Sequence, residues 1–144
     1  MHQIRESKIS MSDLDAVLFA NEAFYDAFAR RDIDAMDDLW AVSVPVCCIH
    51  PGWEAIYERD DVIESWRAIL SGGTSPAINC IAPRINFYGE AAFVVCFEGI
   101  HGDHLIATNY FVRENGLWKM VHHQAGPTRA IAPTHSEEPE RTVN

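Results

Sequence analysis

The chain has 144 residues, of which 48% are hydrophobic and 22% charged, and its formal net charge is −10 at pH 7. A chain of this size builds one domain with its own core, and its acidic balance excludes nucleic acid and anionic membranes as partners because both require a basic surface. No apolar run approaches the ~18 residues that a membrane span needs. The cysteines lie in apolar segments, which favours reduced thiols and a cytoplasmic protein over a disulfide framework.

Apolar side chains in the N-terminal half recur at three- and four-residue spacing, the pattern that predicts helices. Residues 1–12 lack this pattern and are expected to be a loose lead-in. The elements expected next are a helix from Asp13 to about Arg31, a short second helix after a fresh cap in Asp32-Ile33-Asp34, a buried strand over residues 46–49 and a third helix over about residues 60–70.

After Gly73 the hydrophobic period changes to two, which predicts strands near residues 77–88, 91–101, 104–114 and 117–125. The connections Gly89-Glu90, Gly102-Asp103 and Asn115-Gly116 have the composition of two-residue hairpin turns. Helices followed by an antiparallel meander predict an α+β fold with the helices packed on one face of a curved sheet. Residues 13–127 then form the domain, and the polar, proline-containing residues 128–144 are expected to be a disordered tail.

The turns set the strand register, and the register decides which side chains share a face of the sheet. One face, predicted to lie under the helices, carries Ile85, Phe87, Val94, Cys96, Glu98, Ile100, Asn109, Phe111, Met120, His122 and Gln124. The other face carries Arg84, Asn86, Phe93, Val95, Phe97, Thr108, Tyr110, Val112, Lys119, Val121 and His123. A single bulge would exchange the two faces locally.

Polar side chains cluster at one end of the predicted inner face, namely Glu98, Asn109, His122 and Gln124, with Cys96 among them. Burying them is costly unless they satisfy one another or meet a ligand. A carboxyl and an imidazole in an apolar cavity suit proton transfer, because desolvation moves the carboxyl pKa towards neutrality. Either Glu98 or His122 is therefore the predicted base. The alternative is a polar network that only fixes strand register.

Other elements add side chains to this predicted pocket. Asn21 interrupts the apolar stripe of the first helix, Tyr25 follows one turn later, and His50 comes directly after the first strand. The predicted catalytic set is Glu98, His122, Asn109, Tyr25 and His50, and the predicted ligand-binding set is Asn21, Trp53, Trp66, Phe87, Cys96, Phe111, Met120 and Gln124.

Metal and thiol chemistry are the weaker alternatives. The histidines His101, His104, His122 and His123 have no spacing that matches a zinc site or a two-histidine-one-carboxylate triad. A thiol nucleophile at Cys96 would need a cation or a helix N-terminus to lower its pKa, and the sequence places neither there. There is no glycine-rich phosphate loop and no nucleophile elbow. We therefore predict no metal and no cofactor.

The segments NEAFYDAFARRDIDAMDDLW, CCIHPGW, ESWRAIL and ATNYFVRENGLWKMVHHQAG follow one another in an order that resembles the SnoaL-like branch of the nuclear transport factor 2-like superfamily, over about residues 13–126. The resemblance implies a cone-shaped α+β barrel with a pocket between sheet and helices, usually dimeric through the outer sheet face. Members include ketosteroid isomerases, scytalone dehydratase, polyketide cyclases, epoxide hydrolases and non-catalytic binding modules. Isomerase-type members pair a tyrosine of the first helix with two acids; here Tyr25 matches that tyrosine, but Glu98 is the single inward acid.

Two functions follow from these observations. The first is a small-molecule pocket protein acting as a cofactor-independent acid–base enzyme of isomerase, dehydratase, cyclase or hydrolase type on a small apolar substrate. The alternative is a non-catalytic ligand-binding or dimerisation module. Exposed aromatic area on the outer face favours a homodimer, with Phe93, Phe97, Tyr110 and Val121 predicted at its interface.

Overall fold

The computed structural model describes residues 11–73 and 78–133. Its elements are the helices α1 (Met11–Arg30), α2 (Ile33–Leu39) and α3 (Arg59–Ser71) and the strands β1 (Cys47–Ile49), β2 (Asn79–Tyr88), β3 (Ala91–Ile100), β4 (Asp103–Glu114) and β5 (Leu117–Pro127). Their order is the predicted one, and the α+β prediction is confirmed. The predicted lead-in, apart from residues 11 and 12, and residues 134–144 of the predicted tail lie outside the described residues.

The helices form where the apolar period predicts them. On α1, Leu14, Val17, Phe24 and Tyr25 are buried, and their spacing keeps them on one face of the helix. At the start of α2, the Asp32 carboxylate accepts a hydrogen bond from the backbone N–H of Ala35 at 3.1 Å, as an N-cap does.

The five strands form one sheet in the order β1-β5-β4-β3-β2. The pairs within β2 to β5 are antiparallel, while β1 runs parallel to β5. The sheet is curved but does not close into a barrel, and the helices pack against its concave face. Between the layers lie Phe24, Trp40, Trp66, Phe111 and Met120, each almost fully buried.

The turn between β3 and β4 is His101-Gly102, not the predicted Gly102-Asp103. His101 and Gly102 both have positive φ angles, 49° and 80°, as a two-residue type I′ turn requires. Asp103 then pairs with Ile100, whereas the prediction placed Leu105 there. The register changes by an even number of residues, so the faces of β3 and β4 remain as predicted.

A bulge in β5 corrects the predicted faces of that strand. Phe111 pairs with Met120 as predicted, but Tyr110 pairs with His122, so Val121 is the extra residue. Beyond the bulge the faces are exchanged: His123 is buried, at 2% exposure, His122 is half-buried and Gln124 is exposed. The predicted inward positions of His122 and Gln124 and the predicted outward position of His123 are therefore wrong.

The first residues of the predicted tail pack on the β3–β4 hairpin. Ala132 is buried, and the His104 imidazole contacts the backbone of Ala130 and Ala132. No helix in residues 11–73 and 78–133 is both long and apolar enough to span a membrane.

Candidate active site

Glu98 is a buried carboxyl group on the concave face of the sheet. It lies on β3 in the alternating row that also buries Val94 and Cys96, and only 3% of it is exposed. The Tyr25 hydroxyl, on α1, donates a hydrogen bond to Glu98 Oε2 at 2.6 Å. This short contact between helix and sheet is the centre of the candidate site.

Asn109 connects the two layers further. Its Nδ2 donates to Asn21 Oδ1 at 2.9 Å and to the Tyr25 hydroxyl at 3.1 Å. Its Oδ1 lies 2.6 Å from His123 Nδ1. Because an amide oxygen only accepts, His123 carries its proton on Nδ1, which leaves a lone pair on Nε2. We call Asn21, Tyr25, Glu98, Asn109 and His123 the Glu98 cluster.

These hydrogen bonds form a chain of donors that ends at the Glu98 carboxyl group. His123 donates to Asn109, Asn109 donates to Tyr25, and Tyr25 donates to Glu98. Within the described residues the Glu98 carboxyl group accepts its hydrogen bond on Oε2, and Oε1 accepts none.

Burial controls the protonation of the Glu98 cluster. It raises the pKa of Glu98 to about 7, although the Tyr25 hydrogen bond acts in the opposite direction. Burial, with a smaller contribution from the His50 and His122 imidazoles, lowers the pKa of His123 to about 3. Burial also raises the pKa of Tyr25 well above its usual value. At neutral pH His123 is therefore neutral and Tyr25 protonated, while Glu98 exchanges its proton.

His123 and Glu98 do not form an ion pair, although they are close. The distance from His123 Nε2 to Glu98 Oε2 is 4.0 Å, which is too long for a hydrogen bond. A neutral imidazole also carries no charge to attract the carboxylate. The structure thus leaves Glu98 without a cationic partner to hold it ionised, consistent with its raised pKa.

Two thiols border the cluster. Cys96 Sγ lies 3.4 Å from the Tyr25 hydroxyl, and Cys80 Sγ accepts a hydrogen bond from Asn21 Nδ2 at 3.5 Å. A hydrogen bond with Cys80, together with burial, raises the pKa of Cys96 well above its usual value, which makes its thiol a poor nucleophile. Cys80 pairs with Glu98 in the sheet and is half-buried.

His50 belongs to a different cluster. Its Nε2 lies 2.8 Å from Ser65 Oγ and 3.7 Å from Cys48 Sγ, and its ring packs edge-on against Trp66 at 4.7 Å. Burial lowers its pKa to about 4, so it is neutral at physiological pH. The structure shows no hydrogen bond from His50 to the Glu98 cluster among the described residues.

The structure therefore brings together Glu98, Asn109, Tyr25, Asn21 and Cys96, and among the described residues none of the other predicted residues makes a hydrogen bond to them. His122 points away, with Nδ1 3.0 Å from the carbonyl oxygen of Cys47. Gln124 is exposed, and Trp53 is 49% exposed on a loop. The predicted apolar lining is buried in the core and consists of Trp66, Phe87, Phe111 and Met120.

Sequence reasoning missed His123 as a member of the cluster. The sequence correctly placed a histidine at this end of β5 but selected His122 instead of His123. Which of the two faces inward depends on the bulge at Val121. Within residues 11–73 and 78–133, no group of three or more His, Cys, Asp or Glu side chains is arranged to hold a metal ion.

The model of the SnoaL-like domain family matches residues 17–129. The chain belongs to the SnoaL-like family. This confirms the resemblance found in its sequence, and crystal structures of similar fold include nuclear transport factor 2-like and cystatin-like proteins.

One similar crystal structure is of a proposed dehydratase of the nuclear transport factor 2-like family from Streptomyces avermitilis, with 29% identity, a TM-score of 0.76 and coverage of 83% of this chain and 98% of that one. Another is of a proposed calcium/calmodulin-dependent protein kinase type II association domain from Thiobacillus denitrificans, with 29% identity, a TM-score of 0.65 and coverage of 76% and 93%.

Among curated proteins, the chain is 29% identical over 112 residues to the F-box protein SKIP8 of Arabidopsis thaliana. The match covers 76% of this chain but 48% of that protein, so the chain spans about half the length of this relative.

Proposed function

We propose that this SnoaL-like protein binds a small, largely apolar molecule next to Glu98 and catalyses a proton transfer on it with its own side chains. The observation that carries the proposal is a buried carboxyl group with a pKa of about 7, hydrogen-bonded by Tyr25 at 2.6 Å. A general acid–base group works best when its pKa lies near the operating pH.

The chemistry needs one group that takes a proton and returns it. Ionised Glu98 accepts a proton from a carbon next to a carbonyl group, and the resulting carboxylic acid then gives the proton to another atom of the same substrate. Isomerisation moves the proton between carbons, and dehydration delivers it to a departing hydroxyl group. Tyr25, protonated at neutral pH, donates a hydrogen bond to Oε2 of ionised Glu98 and fixes the orientation of the carboxyl group before it accepts the proton.

The surroundings of Glu98 suit an apolar substrate. Apolar core side chains surround the cluster, and the amide groups of Asn21 and Asn109 are already used in hydrogen bonds. A substrate approaches from the half-buried Cys80, opposite Glu98 in the sheet, and meets the free Oε1. The likeness to a proposed dehydratase supports this reaction class.

Deuterium incorporation provides a test that works even when the product is unidentified. The protein is incubated in D₂O with a panel of small apolar ketones and β-hydroxy ketones, and mass spectrometry follows exchange at the carbon next to the carbonyl group. Glu98→Gln should reduce exchange by ~100-fold or more, the usual contribution of a general base. Tyr25→Phe should reduce it less, since the carboxyl group remains.

Glu22→Gln is the matched control, because Glu22 is an exposed carboxylate on the helix that carries Tyr25. It should exchange like the wild-type protein, and circular dichroism should show that all variants are folded. Wild-type exchange that persists in Glu98→Gln would refute the proposal, and so would a panel in which no compound exchanges above the rate in buffer.

A binding or dimerisation module is the second candidate, and a specific observation favours it. Aromatic rings line the outer sheet face: Tyr88 stacks on Phe93 with centroids 5.6 Å apart, and Phe93 lies 5.2 Å from Tyr110. Tyr88 is 65% and Tyr110 39% exposed. We propose that two copies pair through this face, with Phe97 and Val121, both half-buried, as further interface residues.

Sedimentation tests the dimer directly. The wild-type protein should sediment as a dimer at micromolar concentration, and Tyr110→Glu should sediment as a monomer because a carboxylate would be buried in the interface. Phe19→Ala, at an exposed aromatic residue on α1, should remain dimeric. A monomeric wild-type protein would remove this candidate.

We also propose that the protein works in the cytoplasm. All four cysteines, Cys47, Cys48, Cys80 and Cys96, are free thiols. Free thiols suit a reducing compartment. Fractionation of cells that express the tagged protein would test this.

A further inference from the structure

A second concave surface lies between α3 and the loop that precedes it. This groove has a volume of about 720 Å³ and contains the side chains of Trp53, Tyr57, Glu58, Asp61 and Glu64, together with Glu54. It is separate from the Glu98 cluster, none of whose residues line it.

The groove exposes two aromatic side chains on a loop whose backbone the fold holds in place. Trp53 is 49% and Tyr57 69% exposed. The Trp53 ring packs edge-on against the buried His50 ring at 4.7 Å. The loop itself is fixed by two backbone hydrogen bonds between Ile56 and Cys48, both 2.9 Å. Rigid aromatic surface left in water is typical of a binding site.

The charged side chains that line the groove are all acidic. Four carboxylates lie in its wall, and no Lys, Arg or His lines it among the described residues. Arg59, next to Glu58 in sequence, points elsewhere: it donates to the carbonyl oxygens of Ala41 and Asp37 and forms an ion pair with the Asp37 carboxylate at 3.0 Å. Glu64 has an exposed ion pair with Arg67 at 3.4 Å. The groove therefore attracts a cation.

We propose that the groove binds an arginine-bearing peptide segment of a partner protein. A guanidinium group stacks on the faces of tryptophan and tyrosine and donates hydrogen bonds to two carboxylate oxygens at once, so it matches both features of the groove. Glu58, the N-cap residue of α3, is followed at three-residue spacing by Asp61 and Glu64, which lie ~4.5 Å apart along the helix axis. An extended peptide places alternate side chains ~6.6 Å apart, so two arginines of one segment reach this row.

Fluorescence anisotropy with a labelled peptide of alternating arginine and glycine tests the proposal. The reference peptide carries citrulline, a neutral group of the same shape, in place of arginine. The wild-type protein should bind the arginine peptide, more weakly as salt is raised, and should not bind the citrulline peptide. Trp53→Ala should weaken binding by about 10-fold, and the double variant Glu58→Gln/Asp61→Asn should do the same.

The control variants remove the same kinds of side chain, an aromatic ring or two carboxylates, from positions outside the groove. Phe19→Ala deletes an exposed aromatic ring on α1, and Glu22→Gln/Asp34→Asn removes two exposed carboxylates without touching the groove. Both should bind like the wild-type protein.

Three outcomes would overturn the proposal. The first is equal binding of the two peptides, and the second is equal weakening in the groove and control variants, which would indicate attraction by the net charge of −10 alone. The third is displacement of the peptide by free agmatine at the concentration at which the peptide itself binds, because that would assign the groove to a small cation.

Discussion

Replacing Glu98 by Gln tests the electrostatics of the candidate site without any substrate. The fold raises the pKa of this carboxyl group from 4.5 to about 7 because it is desolvated. The folded protein therefore holds the proton more tightly than the unfolded chain. The stability that this gives is fully present below the unfolded pKa of 4.5, and it is lost as pH rises through about 7.

The size of the effect follows from the two pKa values. At about 1.4 kcal/mol for each pH unit between them, ionising Glu98 costs the folded state about 3 kcal/mol. Glutamine keeps the shape and can accept the Tyr25 hydrogen bond but has no charge. The unfolding free energy of Glu98→Gln minus that of the wild-type protein should therefore rise by up to about 3 kcal/mol as the pH increases from 4.5 to 8.

Urea unfolding at a series of pH values, followed by tryptophan fluorescence, measures this difference. Subtracting the wild-type curve removes the contribution of every other titrating group. Glu22→Gln, at an exposed position, should give a flat difference. A difference for Glu98→Gln that is flat, or that falls with rising pH, would show that Glu98 is not a desolvated acid.

Five further variants test the fold, each by urea unfolding. Asn109→Ala should cost ~2–4 kcal/mol because Asn21, Tyr25 and His123 lose partners in a buried place, whereas Gln124→Ala should change stability by less than ~0.5 kcal/mol. Gly102→Ala should cost ~1 kcal/mol because its φ is 80°, while Gly126→Ala, with ordinary φ and open space around it, should not be destabilising. Asp32→Ala should cost ~1 kcal/mol through loss of the α2 cap.

The local pattern of the chain was sufficient for the elements and for four of the five residues of the Glu98 cluster. The helical period of α1 places Asn21 and Tyr25 on its buried face, and the alternation along β3 and β4 places Glu98 and Asn109 inward. These positions follow from periods of 3.6 and 2, which depend on nearby residues alone. The Asn115-Gly116 turn sets the start of the β4–β5 register in the same local way.

The same alternation also indicated that the site would contain a desolvated acid, since an inward carboxyl group in an apolar row is removed from water. The pattern could not show which side chain forms a hydrogen bond with this carboxyl group. Tyr25 contacts Glu98 across a sequence separation of 73 residues, and only the packing of α1 on the sheet brings their oxygens within 2.6 Å.

The sequence by itself determined the family, the order of the elements and the inward positions of Glu98, Asn109, Asn21 and Tyr25. Tertiary structure decided which of the two adjacent histidines faces the site. A bulge at Val121 adds one residue between Met120, which fills the core, and Ala125, which packs beneath the helices, and so turns His123 inward and His122 outward. Alternation shows that neighbouring residues face opposite ways, but where a ladder slips depends on packing across strands and helices, which no local pattern contains.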